Sequence, residues 1–281
     1  MKEKFLNYAQ KISSGENIEN IIKDLKDIFN KNSLYHEEGA CLEKLYHITH
    51  DYKLFNEIGQ IFQYKVRNRD IANAAYNKYL YYSDKTFFTN YAKNLNELGV
   101  NLISVNNMEE NTPPEIQALC DKFDLIIFMM ICLHKNQEYD TIMKLIPFLL
   151  KTKTNIINTF SAAKNKDYLV DAENSEKHLS DVLSSTKHRN DINKFAIDLN
   201  PSNERAYINI MDDLVSNEND KNAIEFYNNT YSRKFNKPQI DSAENLCWQI
   251  SDFYKNRYEF YDAVRFQKFA LERGLGAEAN A

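Results

Sequence analysis

Glycine and proline are scarce in this chain, six and five among 281 residues. A β-protein of this size turns often and draws on both, so the shortage favours helices joined by short polar connections. The candidate connections are rich in Asn, Asp, Lys and Ser, as in the stretches SNENDKN (216–222) and NKDY (165–168). The glycines form no GxGxxG, no Walker loop and no GxSxG, so neither a phosphate-cradling loop nor a nucleophile elbow is encoded. Cysteine is limited to Cys41, Cys120, Cys132 and Cys247, far apart and in apolar contexts. Reduced core thiols of a cytosolic protein fit this better than a disulfide framework. No long apolar run is present: Leu125–Leu133 reaches about half of the ~20 residues needed to span a bilayer. The first residues, Met1 to Tyr8, lack the apolar stretch of a signal peptide, so a cytoplasmic location is expected and membrane insertion is not. A net charge of −5, with both signs interspersed, argues against nonspecific nucleic-acid binding.

What is abundant is apolar and aromatic. Hydrophobic residues make up 43% of the chain, including 17 Phe and 18 Tyr, enough for a packed core rather than disorder. Helical spacing places Phe5, Leu6 and Tyr8 on one segment (4–12) and Ile18, Ile21, Ile22, Leu25, Ile28 and Phe29 on the next (16–30). A third helix is expected from Ser33 to His50. Thr112-Pro113-Pro114-Glu115 has the form of a capping box with proline at the first helical position, and predicts a helix start there. Pro147, inside a later helical pattern, should kink or shorten that helix.

Between Pro201 and Gly276 two helical hairpins share an internal grammar. With Glu204 as position 1, Tyr207, Ile210, Leu214, Ala223 and Tyr227 occupy aromatic, apolar and small positions. Restarting at Glu244 gives Cys247, Ile250, Tyr254, Ala263 and Ala270. Tyr52 as position 1 brings Phe55, Ile58, Gly59 and Phe62 into line, with Ala72 and Tyr76 one residue late. A further unit near Lys122 uses Leu125, Phe128 and Cys132. The register resembles the tetratricopeptide repeat, an about 34-residue helical hairpin. The resemblance implies an all-α helix-hairpin solenoid that binds a protein or peptide in a concave groove and has no catalytic site. In that family, positions 2, 5, 9 and 12 of each first helix line the groove. Carried over by resemblance, they are Lys53, Asn56, Gln60 and Gln63, then Arg205, Ile208, Asp212 and Val215, then Asn245, Trp248, Asp252 and Lys255. The partner-binding residues singled out are Asn56, Gln60, Arg205, Asp212, Trp248, Asp252 and Lys255. The corresponding Phe123, Ile126, Met130 and Leu133 are too apolar for an open groove and need cover, for which segment 99–111 is a candidate. The last hairpin is expected to turn Glu259, Asp262, Arg265 and Lys268 outward as a polar cap.

Segment 86–165 admits a second reading. Short strands at Asn101–Val105, Phe123–Met130 and Asn155–Phe160, alternating with helices, would make a small Rossmann-like α/β module. That arrangement would suit a sugar- or nucleotide-handling transferase, or the acceptor-docking repeats of one. The unbroken run to Leu133 and its agreement with the repeat phase favour helix. The chain is accordingly divided into N-terminal repeats (1–85), a divergent central segment (86–165) and C-terminal repeats (166–281). The all-helical reading is that of a bacterial-type scaffold.

Isolated polar residues offer little chemistry. His47 and His50 share a helix face near His36 and Cys41, but no HExxH or CxxC accompanies them, and partly exposed interface histidines are expected rather than a metal site. His178 and His188 stand alone. Glu109-Glu110 and Asp212-Asp213 are adjacent in sequence, hence splayed on a helix. No cofactor is expected. The aromatic segment Tyr76–Tyr91 reads as core packing first and as a binding patch second.

Overall fold

The structure is a computed structural model and describes residues 1–97, 112–163 and 167–278. All regular elements among these residues are helices, so the chain is all-α. Residues 123–130 and 155–160, two of the three strands required by the α/β reading, lie inside long helices, while Asn101–Val105 falls outside the described residues. Contacts divide the chain into two units, Met1–Glu173 and Asn174–Ala281.

The scarcity of glycine leaves its mark on the helix ends. Helix α1 (Lys2–Ser14) stops at Gly15, which takes the left-handed conformation at φ 87°. Elsewhere that conformation falls to Ser33, His50, Arg67, Gln137, His188, Glu218, Asn236 and Tyr258. A residue with a Cβ pays roughly 1–2 kcal/mol for it, so tertiary packing must hold these turns.

In the first unit, α2 (Glu19–Lys31), α3 (Tyr35–Thr49), α4 (Leu54–Gln60), α5 (Arg69–Ser83) and α6 (Lys85–Glu97) pack each on the next. Hydrogen bonding widens to a π-helix over Ile61–Val66 at the end of α4. Gly59 lets α4 meet α5, because a Cβ there would lie 2.4 Å from Tyr76 Cε1. Helix α7 (Pro114–Lys135) starts where the Thr-Pro-Pro-Glu motif predicts. The register differs by one, since Pro113 is the residue before the helix and no side chain caps it. Helix α8 (Tyr139–Ala163) runs past Pro147 rather than ending there.

A solenoid repeat touches only its neighbours in sequence. Here the α7–α8 hairpin packs instead on α1, α2 and α3. The cause is the composition of α7: Phe123, Leu125, Ile126, Ile127, Met129, Met130, Ile131, Cys132 and Leu133 are all buried. A helix apolar on every side needs cover on every side, and helices from the start of the chain supply it. The role proposed for residues 99–111 as cover lies outside the described residues. Segments 1–85 and the described part of 86–165 therefore form one unit.

The second unit pairs α10 (Asn190–Leu199) with α11 (Glu204–Ser216), and α14 (Ala243–Lys255) with α15 (Phe260–Glu278). Helix α12 (Asp220–Phe226) continues through a π-turn (Tyr227–Tyr231) into α13 (Ser232–Phe235), and packs on α11 and α14. α9 (Asp167–Leu183) is the helix in which the boundary between units falls. The residues that carry the repeat grammar form the core: Tyr207, Ile210, Ala223, Tyr227, Cys247, Ile250, Tyr254, Ala263 and Ala270 are buried, with Leu214 packed at its edge.

The expected polar cap is reversed. Glu259 pairs with Arg205 at 2.9 Å, Asp262 with Lys187 at 2.6 Å and Arg265 with Asp212 at 2.6 Å. Three of the four charges thus face their own unit, and Lys268 alone stays exposed. The outward stripe consists of Tyr258, Tyr261, Val264 and Leu271, with Tyr261 84% exposed.

Candidate functional site

On α11 the face assigned to a groove is closed by the chain itself. Ile208 and Val215 are buried. Asp212, also buried, accepts hydrogen bonds from Tyr254 Oη (2.7 Å), the Arg265 guanidinium (2.6 Å) and Ser216 Oγ (3.1 Å). Arg205 is engaged by Glu259. Two apolar residues among those four positions make a stripe that folding buries, and Asp212 goes in with them, satisfied by partners. Trp248 is half-buried against the core with its indole N–H 3.4 Å from Glu244. Asp252, Lys255 and Gln60 are exposed, and Asn56 is half-buried. Asn56 and Gln60 belong to the first unit and the other five to the second.

A concavity with mixed chemistry lies elsewhere, in the first unit. The connection between α1 and α2 (Glu16, Asn17, Ile18), the end of α3, the end of α5 and the start of α7 surround a cleft of about 510 Å³. Its apolar walls are Ile18, Tyr46, Ile48, Tyr82, Pro114 and Ala118, and its polar groups include His47, His50, Gln117 and Asp121. Tyr46 and Tyr82 meet with ring centroids 5.6 Å apart. His50 takes the left-handed conformation that ends α3 and rests edge-on against Tyr46.

A buried charge network anchors the floor. Lys44, from the core face of α3, donates to Asp121 Oδ1 (3.2 Å) and Asp124 Oδ2 (2.7 Å) of α7. Gln117 donates to Asp121 Oδ1 (3.0 Å), and His47 Nδ1 lies 3.0 Å from Asp121 Oδ2. Burial pushes the Asp121 carboxyl up. The His47 hydrogen bond, the Lys44 charge and Gln117 outweigh it and hold the group below the ordinary carboxylate range. An ionised Asp121 accepts, so the His47 ring donates through Nδ1. Burial acts to lower Lys44, yet Asp124 and Asp121 raise its pKa above the ordinary lysine value. Both ions are therefore charged at neutral pH, fixing α3 against α7.

Sequence reasoning passed over Lys44, Gln117, Asp121 and Asp124. The signal was a lysine one residue before Leu45 on an apolar face, and an aspartate two before Phe123. A charge in such a place is buried only if paired, but pairing across ~80 residues is not visible in spacing. His36 packs on Phe62 and His47 serves Asp121, so the histidines noted near Cys41 serve separate partners. Burial raises the Cys41 thiol far above its usual value. Among the described residues no group of three or more His, Cys, Asp or Glu is placed to hold a metal ion, and no helix is long and apolar enough to cross a membrane. No protein-family model matches the chain, and no curated protein does.

Proposed function

We propose that this protein is a non-catalytic helical-repeat scaffold, a divergent relative in style of the tetratricopeptide proteins, that binds a short peptide segment in the cleft between α3, α5 and α7. The observation that carries this reading is the cleft's construction. Aromatic and aliphatic walls surround a few oriented polar groups, and the charge network beneath them is already satisfied. Such a lining suits an apolar side chain flanked by peptide groups, since ligand sites are mostly apolar with few convergent polar atoms. The hydrogen-bonded His47–Asp121 pair has the form of a base and its orienter. Among the described residues the lining holds no serine or cysteine, although it includes Thr112, and the contact that the His47 ring makes is with buried Asp121.

Selection of a displayed random peptide library on the full chain tests the reading. Ala118 is exposed on α7 and lines the cleft, so Ala118→Trp fills the space without entering the core. Selected peptides should lose about tenfold or more in affinity for Ala118→Trp, more than 1.4 kcal/mol, while its thermal melt stays unchanged. Peptides that bind the variant as tightly as wild type would place the site elsewhere, and failure to recover any binder would refute the peptide reading.

A further inference from the structure

We propose a second binding site at the α4–α5 turn, built to take an acidic peptide segment through Arg67 and Arg69. The first unit contains only two arginines, and they stand two residues apart, separated by Asn68. All its other basic side chains of permanent charge are lysines. Arginine is the residue that meets a carboxylate with a planar, two-pronged donor face, which lysine lacks.

The turn holds both guanidinium groups at one recess. The π-helical Ile61–Val66 ends at Arg67, whose backbone is left-handed at φ 61°. Asn68 then caps α5, its side chain accepting from the Ile71 N–H at 3.1 Å. Arg69 follows as the first residue of α5, where the helix dipole disfavours a cation. Helix stability alone would choose an acid there. Both arginines are exposed, and neither guanidinium has an ion pair or hydrogen bond among the described residues. In the second unit, by contrast, five of the six arginines, Arg189, Arg205, Arg257, Arg265 and Arg273, pair with a carboxylate, and Arg233 is the exception among the described residues.

The recess beside them measures about 690 Å³ and is lined also by Gln63, Tyr64, Asn73 and Tyr76. Tyr76 Oη donates to Gln63 Oε1 at 2.8 Å, so the donors that remain on Gln63 are its amide N–H groups. Tyr64 is 70% exposed, a flat amphipathic surface of the kind that packs against a peptide backbone. Two guanidinium forks, two amides and an exposed ring fit an extended segment with spaced carboxylates. Two neighbouring arginines do not make the continuous basic track that a nucleic-acid backbone needs.

The site shares no residue with the cleft, so the two proposals fail separately. Fluorescence anisotropy of the full chain with a labelled hexaglutamate peptide at low ionic strength tests it, with hexaglutamine, inorganic phosphate and a single-stranded oligonucleotide as competitors. Hexaglutamate should bind and should be displaced by none of the three at equal concentration. Arg67→Gln/Arg69→Gln should weaken binding by about tenfold or more, and Arg67→Lys/Arg69→Lys should restore only part of it. Ala118→Trp should bind as wild type. Equal binding by the glutamine variant, full rescue by lysine, or displacement by phosphate or the oligonucleotide would overturn the proposal.

Discussion

A Cβ on Gly59 would meet the Tyr76 ring at 2.4–2.7 Å, closer than real contacts allow. Gly59→Ala must push Tyr76 away and strain its hydrogen bond to Gln63, so a loss of roughly 1–3 kcal/mol is expected in thermal or denaturant melts. In a Tyr76→Ala background most of that penalty should vanish, and an unchanged penalty would show that the ring is not the obstacle. Asp212 makes a different demand. It is a buried carboxylate with three donors, and Asp212→Ala should destabilise by about 2 kcal/mol or more by stranding Tyr254 and Arg265. Asp121 links the fold to pH. Its folded pKa lies below the unfolded value, so its stabilisation is fully present above the ordinary carboxylate pKa. It is lost as pH falls through the lower folded value. Wild type should therefore lose melting temperature below about pH 4 more steeply than Asp121→Asn, and parallel profiles would exclude Asp121 as a source of acid sensitivity.

The helices were legible in the sequence wherever a polar face opposed an apolar one. Residues 16–30, 204–216 and 243–255 have that pattern, and most of their predicted core positions are buried, Ile28 and Leu214 being half-buried. Ala223 and Ala263 are packed at 0% and 3% exposure. Leucine at either should overpack the hairpin by about 1–3 kcal/mol, and an unaltered melt in either variant would mean the register is wrong there. Two kinds of feature stayed hidden. Hydrophobicity all round α7 revealed burial without naming the covering helices, because that choice depends on contacts distant in sequence. On α15, charged and apolar stripes alternate, and spacing alone does not say which turns inward. The partners Arg205, Lys187 and Asp212 decide it. Replacing Tyr261, Val264 and Leu271 together with serine should leave stability within about 1 kcal/mol and reduce retention on a hydrophobic column. A large loss of stability would show that this stripe is packed.

At the scale of the chain, two compact units replace the single array that the repeat grammar suggested. A fragment beginning at Asp167 keeps α9 whole and contains all of the second unit. It has its own core around Tyr207, Tyr227, Tyr254 and Phe266, as a separately folding domain requires, and should give a helical circular dichroism spectrum with a cooperative melt. A featureless melt would mean that its core needs the rest of the chain. Function at this scale was the least visible in the sequence. The positions suggested by family resemblance include side chains used to close α11, whereas the cleft depends on α3 and α7 meeting across a buried ion network. Hydrogen–deuterium exchange on the full chain, with and without a selected peptide, tests the cleft most directly. Protection is expected at residues 45–50 and 114–122 and should disappear with Ala118→Trp. Protection confined to α11 and α14, or none at the cleft while the peptide is bound, would contradict it.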